Sequence, residues 1–445
     1  MASVQKRVWD SGKVTYRVRW ELPDRTEAGK SFTTRKAAKA YATKVEERIQ
    51  RGIEFDPKAG AITFREAAKD WLATRSDLKA STLDGYRYAL APKAERRGDM
   101  RQLGIDAVFG GYPLNAIKRD DVQQWVNRMI DAGKKASTVR HAYWIVRMVL
   151  EQAVIDNRVP GNPADHVKLP TEDGNPGIVD DPNLFLSAAQ VAALVAATPW
   201  PYNVYMHTAA WSGLRAAELC GLQIGDVDMP DAPALGALRV ERTVRVISGK
   251  LATLPPKTKG SRRRVPLTAE TTALLRDYLA EHPNAADPSA PLFPSMTLTM
   301  PRPSGVKAPK DERTAAERQA HALARLTVTE AQARLVLDWS TPLLHGAFYK
   351  AVYRPAVLRA NRHAGRAVIP PALTFHALRH SYASLCVAAG IPTHKVSRFM
   401  GHSKPSTTET IYMHLFADDY ADEMAALGGL ARPHLGATNV VRLRR

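Results

Sequence analysis

Five prolines between Val159 and Leu184 (Pro160, Pro163, Pro170, Pro176 and Pro182), mixed with two acidic clusters, set the strongest limit on how this chain can fold. Each pyrrolidine ring removes a backbone donor and clashes with the preceding turn, so no helix runs through the stretch. It reads as a linker between two halves, placed here at residues 166–184. Length agrees, because 445 residues exceed one ordinary core and imply two or three domains.

Patterning on either side predicts a multidomain, mainly α protein with small β elements. Residues 1–57 read as a three-stranded sheet plus a helix. Val14, Tyr16, Val18 and Trp20 alternate with Thr15, Arg17 and Arg19, giving one apolar and one cationic face. Ala37, Ala38, Tyr41, Val45 and Ile49 then recur at helical spacing up to Gly52, a candidate C-cap. Packing the apolar face on this helix leaves Arg17 and Arg19 outward, on a sheet that a DNA major groove can admit or that water simply solvates.

Residues 62–165 are wholly helical in pattern. Thr63 and Glu66 form a capping box, further helices open after Ser81 and Thr82 and at Asp120 or Asp121, and another begins at Ser137. In the last, Val139, Tyr143, Val146, Leu150 and Val154 make an apolar stripe. Lys134, Lys135, Arg140 and Arg147 supply cations there, which makes them candidate phosphate contacts. Residues 185–430 form a mixed, mainly helical domain. It opens with the helix AAQVAALVAA, reaches Arg215 at a helix start, and carries a small sheet over Leu238 to Leu267. An Ala- and Arg-rich helix is expected near Asp311 to Leu337, and residues 431–445 form a basic tail.

Lys plus Arg number 63 against 44 Asp plus Glu, a formal charge of +19 that predicts a polyanionic partner. Its dispersal along the chain suits a wrapped duplex, with binding that weakens as salt rises. Cys220 and Cys386 sit in apolar helical contexts and read as reduced core residues of an intracellular protein. MASVQKRVWD lacks the apolar region of a signal peptide, and no segment has the length of a membrane span.

Six polar residues carry the chemistry: Arg215 in GLRAAEL, Lys257 in KTKGSRRRVP, His376 and Arg379 in HALRH, His402 in MGHSKPSTTETIY, and Tyr412 at the end of that run. Two guanidiniums can neutralise the charge that builds on a phosphodiester's non-bridging oxygens. A tyrosine hydroxyl, with a pKa of about 10, needs cationic or proton-accepting neighbours to act as a nucleophile. Lys257 can protonate the departing oxygen, a role worth roughly 10²–10⁴-fold. Lys259, two residues on, competes for that role. Singly, Arg215 or Arg379 reads as a surface ion-pair partner and Tyr412 as an edge-of-core aromatic. His376 and His380 stand at a zinc-like spacing, but HALRH lacks the glutamate of a metalloprotease, so no metal is expected.

These four ordered boxes resemble the tyrosine recombinases, and within them the phage integrases, over residues 180 to 430. The resemblance implies that Arg215 and Arg379 clamp the scissile phosphate with support from His376 and His402. It further implies that Lys257 is the general acid, Glu218 orients the set, and Tyr412 joins a DNA 3′ phosphate. It casts 1–57 as an arm-type DNA-binding domain, 62–165 as a core-binding domain and 185–430 as the catalytic domain. Expected partners are double-stranded DNA at core and arm attachment sites, a homotetramer on that DNA, a directionality factor and a DNA-bending host protein. No cofactor is expected, and the setting implied is the nucleoid-associated cytoplasm of a bacterial host. A chromosome-dimer resolvase lacks the extra N-terminal unit, a type IB topoisomerase fits the motif order less well, and a non-catalytic DNA-binding relative would not keep every catalytic position filled. Residues 296–340 exceed the usual pattern and have no assigned role.

Overall fold

The computed structural model describes residues 2–21, 26–50, 59–96, 100–171, 185–231, 233–256, 261–299 and 313–401. They fall into two units that divide between residues 173 and 174.

In the first unit β1 (Ser3–Val8), β2 (Val14–Glu21) and β3 (Glu27–Phe32) form an antiparallel sheet with β2 central, and α1 (Arg35–Gln50) packs on one face. Val18 and Trp20 bury against Ala38, Ala42 and Val45. This is the alternation of a sheet covered on one side. Ala42 takes an inner position that the sequence reading left out, whereas Ala37 and Ile49 are exposed. Gly52 lies outside the described residues. Arg17 and Arg19 alternate with the buried positions; Arg19 pairs with Glu27 at 3.2 Å, and a Cβ at Gly29 would meet the Arg17 Nε at 2.9 Å.

The same unit continues with α2 (Phe64–Thr74), α3 (Ala80–Ala89), α4 (Met100–Leu103), α5 (Ile105–Phe109), α6 (Arg119–Asp131) and α7 (Ala136–Ile155). The capping box forms: the Thr63 amide donates to the Glu66 carboxylate at 2.8 Å and the Glu66 amide to the Thr63 hydroxyl at 3.3 Å. Phe64, Trp71, Phe109 and Trp125 meet the α7 stripe Val139, Tyr143, Val146 and Leu150 in one core. Helix α3 opens at Ala80, ahead of the Ser81 and Thr82 start expected for it, and buries no side chain fully.

Residues 166–171 are not linker. Val167 and Leu169 pack against the helical core, and the Gln123 amide accepts from Lys168 N at 2.8 Å and donates to its carbonyl at 3.1 Å. Proline bars a helix there, but an extended segment whose apolar side chains find cover still belongs to the domain before it.

The second unit runs α8 (Ala188–Ala196), α9 (Tyr202–Ser212), α10 (Ala216–Leu219), β4 (Val227–Asp228), β5 (Ala237–Val240), β6 (Thr243–Ile247), β7 (Lys250–Leu254), β8 (Arg263–Pro266) and α11 (Ala269–Ala280). It continues through β9 (Pro294–Leu298), α12 (Ala315–Ala324), α13 (Val328–Gln332), β10 (Leu335–Pro342) and α14 (His345–Phe348). A π-helical turn, Tyr349–Tyr353, leads into α15 (Arg354–His363), followed by α16 (Ala377–Ala388) and α17 (Thr393–Met400). Tyr205 stands at the centre of its core, with ring centroids 5.0 Å from Phe293, 4.8 Å from Phe348 and 5.5 Å from Phe375.

Two expectations for this unit change. The single small sheet expected over Leu238 to Leu267 is divided, because β6 and β7 form a hairpin of their own, whose Ser248 and Gly249 both take positive φ, as a two-residue turn between twisted strands requires. The RRVP that closes KTKGSRRRVP is β8 (Arg263–Pro266), which pairs with β5 in a different sheet, and Lys257 to Gly260 lie outside the described residues. In the 296–340 region, the long helix expected up to Leu337 is two short ones. Leu335 already begins a strand, in which Leu335, Leu337 and Trp339 are half-buried and alternate with exposed residues.

Helix α12 packs on α15, where Arg359 is 1 % exposed. Its guanidinium donates to three carbonyls, Leu323 (2.8 Å), Leu326 (2.8 Å) and Ala197 (2.6 Å), tying the ends of α12 and α8 together. Helix C-termini carry partial negative charge and unpaired carbonyls, so a cation suits them. Arg359→Met should strand these acceptors, costing about 3 kcal/mol, readable as a fall of roughly 6–12 °C in melting temperature. An unchanged melting temperature would show that the tie is dispensable.

Candidate active site

Two helices end where the sequence-predicted arginines gather. After α9 Gly213 turns left-handed at φ +63°, and after α17 Gly401 does the same at φ +68°. Glycine is needed at both places, because a Cβ on Gly213 would run into the Tyr382 ring and one on Gly401 would sit 2.8 Å from the Arg263 guanidinium.

The carbonyls at these ends receive the guanidiniums. Arg379, in the first turn of α16 and 3 % exposed, donates through Nη1 to Gly213 and through Nη2 to Met400 at 2.7 Å. Arg215 caps α10 and donates through Nη2 to Gly401 at 3.2 Å. Two residues far apart in the chain are thereby placed against consecutive carbonyls. The pairing is electrostatic as well as geometric, since cations meet the negative ends of helix dipoles.

Glu218 holds the set together from α10 and is 2 % exposed. It accepts from the Arg215 amide at 2.8 Å and the Arg215 guanidinium at 2.9 Å. It also accepts a fork from Arg263, Nη1 to Oε1 at 3.1 Å and Nη2 to Oε2 at 3.0 Å. Burial pushes its pKa up, but the bonds and charges of Arg263 and then Arg215 outweigh that and hold it below the ordinary carboxyl value. Three guanidiniums against one carboxylate leave the cluster two positive charges, which suits a phosphate.

His376 directly precedes α16, edge-on to His380 with centroids 4.9 Å apart. Partial desolvation of its ring, then the charges of Arg379 and Arg215, lower its pKa. The imidazole is therefore neutral near pH 7 and carries one N–H donor. His380 is lowered further, to about 4, by desolvation, His376 and Arg379, and its ring lies 6.4 Å from Phe185. Among the described residues no cluster of metal-ligating side chains occurs.

Arg215, Glu218, His376 and Arg379 are thus brought together. Lys257, Lys259, His402 and Tyr412 lie outside the described residues, although Gly401, the residue before His402, belongs to the cluster. Sequence reasoning missed Arg263. The available signal was strand alternation: Val265, two positions on, is fully buried, so Arg263 shares its inward face.

The other predicted contacts lie in the first unit. Lys135 stands just before α7 and is exposed, Lys134 is half-buried, and Arg140 is exposed on α7. Arg147 is already engaged, 2.9 Å from Asp165 and over the ring of Trp144, itself exposed. No described helix is long and apolar enough to cross a membrane.

The phage integrase family profile matches residues 185–418, the stretch that holds this cluster. The integrase of Mycobacterium phage D29 is 30% identical over 225 residues, 50% of this chain and 54% of that protein, so the chain spans about half of that relative's length. A tyrosine recombinase XerC-like protein of Caldanaerobacter subterraneus subsp. tengcongensis is 22% identical over 438 residues, 94% of this chain and 97% of that one. Among solved structures, the Tn1549 transposon integrase in complex with a circular intermediate DNA aligns with a TM-score of 0.53 at 17% identity, covering 83% of this chain and all of that one, a likeness of fold. With a family match over more than half its length, centred on the unit that gathers Arg215, Glu218 and Arg379, the chain belongs to the phage integrase family of tyrosine recombinases.

Proposed function

We propose that this protein is a site-specific DNA recombinase that integrates and excises a phage or other mobile element through a phosphotyrosyl intermediate at Tyr412. The observation that carries the reading is the convergence of Arg215 and Arg379 on the end of α17, at Gly401 and Met400, in a cluster with surplus positive charge.

In this reading Arg215 and Arg379 hold the non-bridging oxygens of one phosphodiester, and neutral His376 donates a hydrogen bond to the same group. The Tyr412 hydroxyl passes its proton to a neighbouring imidazole, His376 or His402, as its oxygen attacks phosphorus, and the bond to the 5′ oxygen breaks. Lys257 delivers the proton that makes the leaving group a hydroxyl, and His402 supports the phosphate. The DNA 3′ phosphate is then bonded to Tyr412. A 5′ hydroxyl of the partner duplex attacks that linkage, releasing the phenol, and a second pair of exchanges resolves the junction. The phosphotyrosine conserves the bond energy and the arginines supply the electrostatics that a divalent ion gives many nucleases, so the scheme calls for neither nucleotide nor metal.

Exchange at two duplexes requires four protomers on DNA, with the first unit supplying sequence contacts. Arg17 and Arg19 are assigned to arm-type sites, and Lys134, Lys135, Arg140 and Arg147 to core-site phosphates; Arg147 would have to exchange its Asp165 partner for DNA. A directionality factor and a DNA-bending host protein complete the proposed set. The test is a nicked duplex containing the core site, run on a denaturing gel. Wild-type protein should yield a covalent adduct and Tyr412→Phe none, whereas a gel shift with no adduct from the wild type would leave a DNA-binding protein only.

A further inference from the structure

We infer that Arg263 is a positioning residue for strand cleavage, one that takes up the charge of Glu218 and so leaves Arg215 positive toward the phosphate. The inference rests on the reaction proposed at Tyr412 and assigns a role in it to a side chain outside the six-residue signature.

Arg263 is one of three consecutive arginines, and its neighbours behave as surface residues. Arg262 stands 3.7 Å from Glu241 and Arg264 2.6 Å from Asp228, with all four side chains substantially exposed. Only Arg263 turns inward, its side chain 5 % exposed. Its fork covers both oxygens of Glu218, and a fork matched to a carboxylate is a geometry that lysine cannot reproduce. The remaining contacts go to carbonyls, Nε to Phe399 at 2.5 Å and Nη1 to Ser261 at 3.1 Å.

Two consequences follow from that geometry. Glu218 is buried and ionised, so its charge has to be compensated locally. With Arg215 as its sole partner, the carboxylate would cancel the guanidinium that is meant to meet the phosphate. With Arg263 in place, one positive charge neutralises Glu218 and Arg215 keeps its own. Arg263 also bonds the chain at Ser261, just after Lys257 and Lys259, and at Phe399, just before His402. One side chain thereby anchors the near ends of the two segments that supply the proposed acid and the second histidine. The fit is mutual, because the space where a Gly401 Cβ would stand is filled by the Arg263 guanidinium.

The experiment is single-turnover adduct formation on the nicked core duplex, with melting curves and equilibrium DNA binding recorded for each variant. R263M should form adduct at least about thirtyfold more slowly while binding DNA within about threefold of wild type. In E218Q/R263M the uncompensated carboxylate is gone, Arg215 regains its charge, and the rate should recover about tenfold over R263M, a reversal that loss of packing alone would not produce. Should R263M fail to fold, R263K decides. Its ammonium keeps the charge but meets one carboxylate oxygen in place of two, so adduct formation should be about tenfold slower than wild type. Wild-type rates in R263M or R263K, or a double variant no faster than a folded R263M, would overturn the inference alone. Absence of adduct from the wild type would instead sink the recombinase reading and this inference with it.

Discussion

Arg379→Ala should slow covalent attachment to DNA by about 10³-fold or more while leaving duplex binding largely in place. Removing one preorganised donor from a developing charge costs about 10²–10³-fold. Here the loss goes further, because the same guanidinium bridges Gly213 and Met400 and so locates the ends of α9 and α17. Those carbonyls become unpaired inside the protein, and each unsatisfied group costs about 1–3 kcal/mol. Arg379→Lys should recover little, since an ammonium on a flexible stem cannot span both carbonyls and a phosphate. Binding is spared because the net charge of +19 is spread along the chain, and non-specific affinity follows total phosphate neutralisation. Single-turnover adduct formation measured beside a gel shift separates the two effects. A cleavage loss below about tenfold would remove Arg379 from the reaction.

Glu218→Ala carries the second large effect, and it acts on stability first. The variant leaves Arg263 buried without its counter-ion, and breaking a buried pair from one side costs about 3–5 kcal/mol. A fall of roughly 10 °C in the melting temperature of the second unit is expected. The pH dependence has a definite sign. Because the folded pKa of Glu218 is lowered, the stability its ionisation supplies is fully present above the unfolded carboxyl value of about 4.3. It is lost as pH falls through the lower folded value. The stability gap between wild type and Glu218→Ala should therefore be widest near neutrality and narrow below about pH 4. A gap that stays constant into acid would mean that the carboxylate is not ionised in the native protein.

Local signals were legible where the physics is local. Thr63 and Glu66 announced a helix start through hydrogen bonds made within one turn, and Arg215 stood at a helix opening because GLRAAEL places a left-handed glycine just before it. The strand Val14 to Trp20 declared its covered face by alternation alone. What stayed hidden depends on partners distant in the chain. Nothing in SRRRVP announces that the middle arginine finds Glu218, 45 positions earlier, unless Val265 is first recognised as buried. Val167 and Leu169 looked like linker because prolines surround them, and their cover comes from helices formed elsewhere. Composition extends a helix past Gln332, although Leu335, Leu337 and Trp339 already alternate in the manner of a strand. Arg359 gave no sign, since its acceptors are backbone carbonyls, which leave no trace in side-chain identity.

Tyr412 should become covalently joined to DNA beside the arginine cluster. The most direct measurement of this is peptide mapping of the adduct formed on the nicked core duplex, by mass spectrometry after nuclease trimming. The expected species is a nucleotide attached through its 3′ phosphate to the peptide containing Tyr412, with a free 5′ hydroxyl on the departing strand. Attachment at another residue, or through a 5′ phosphate, would contradict it.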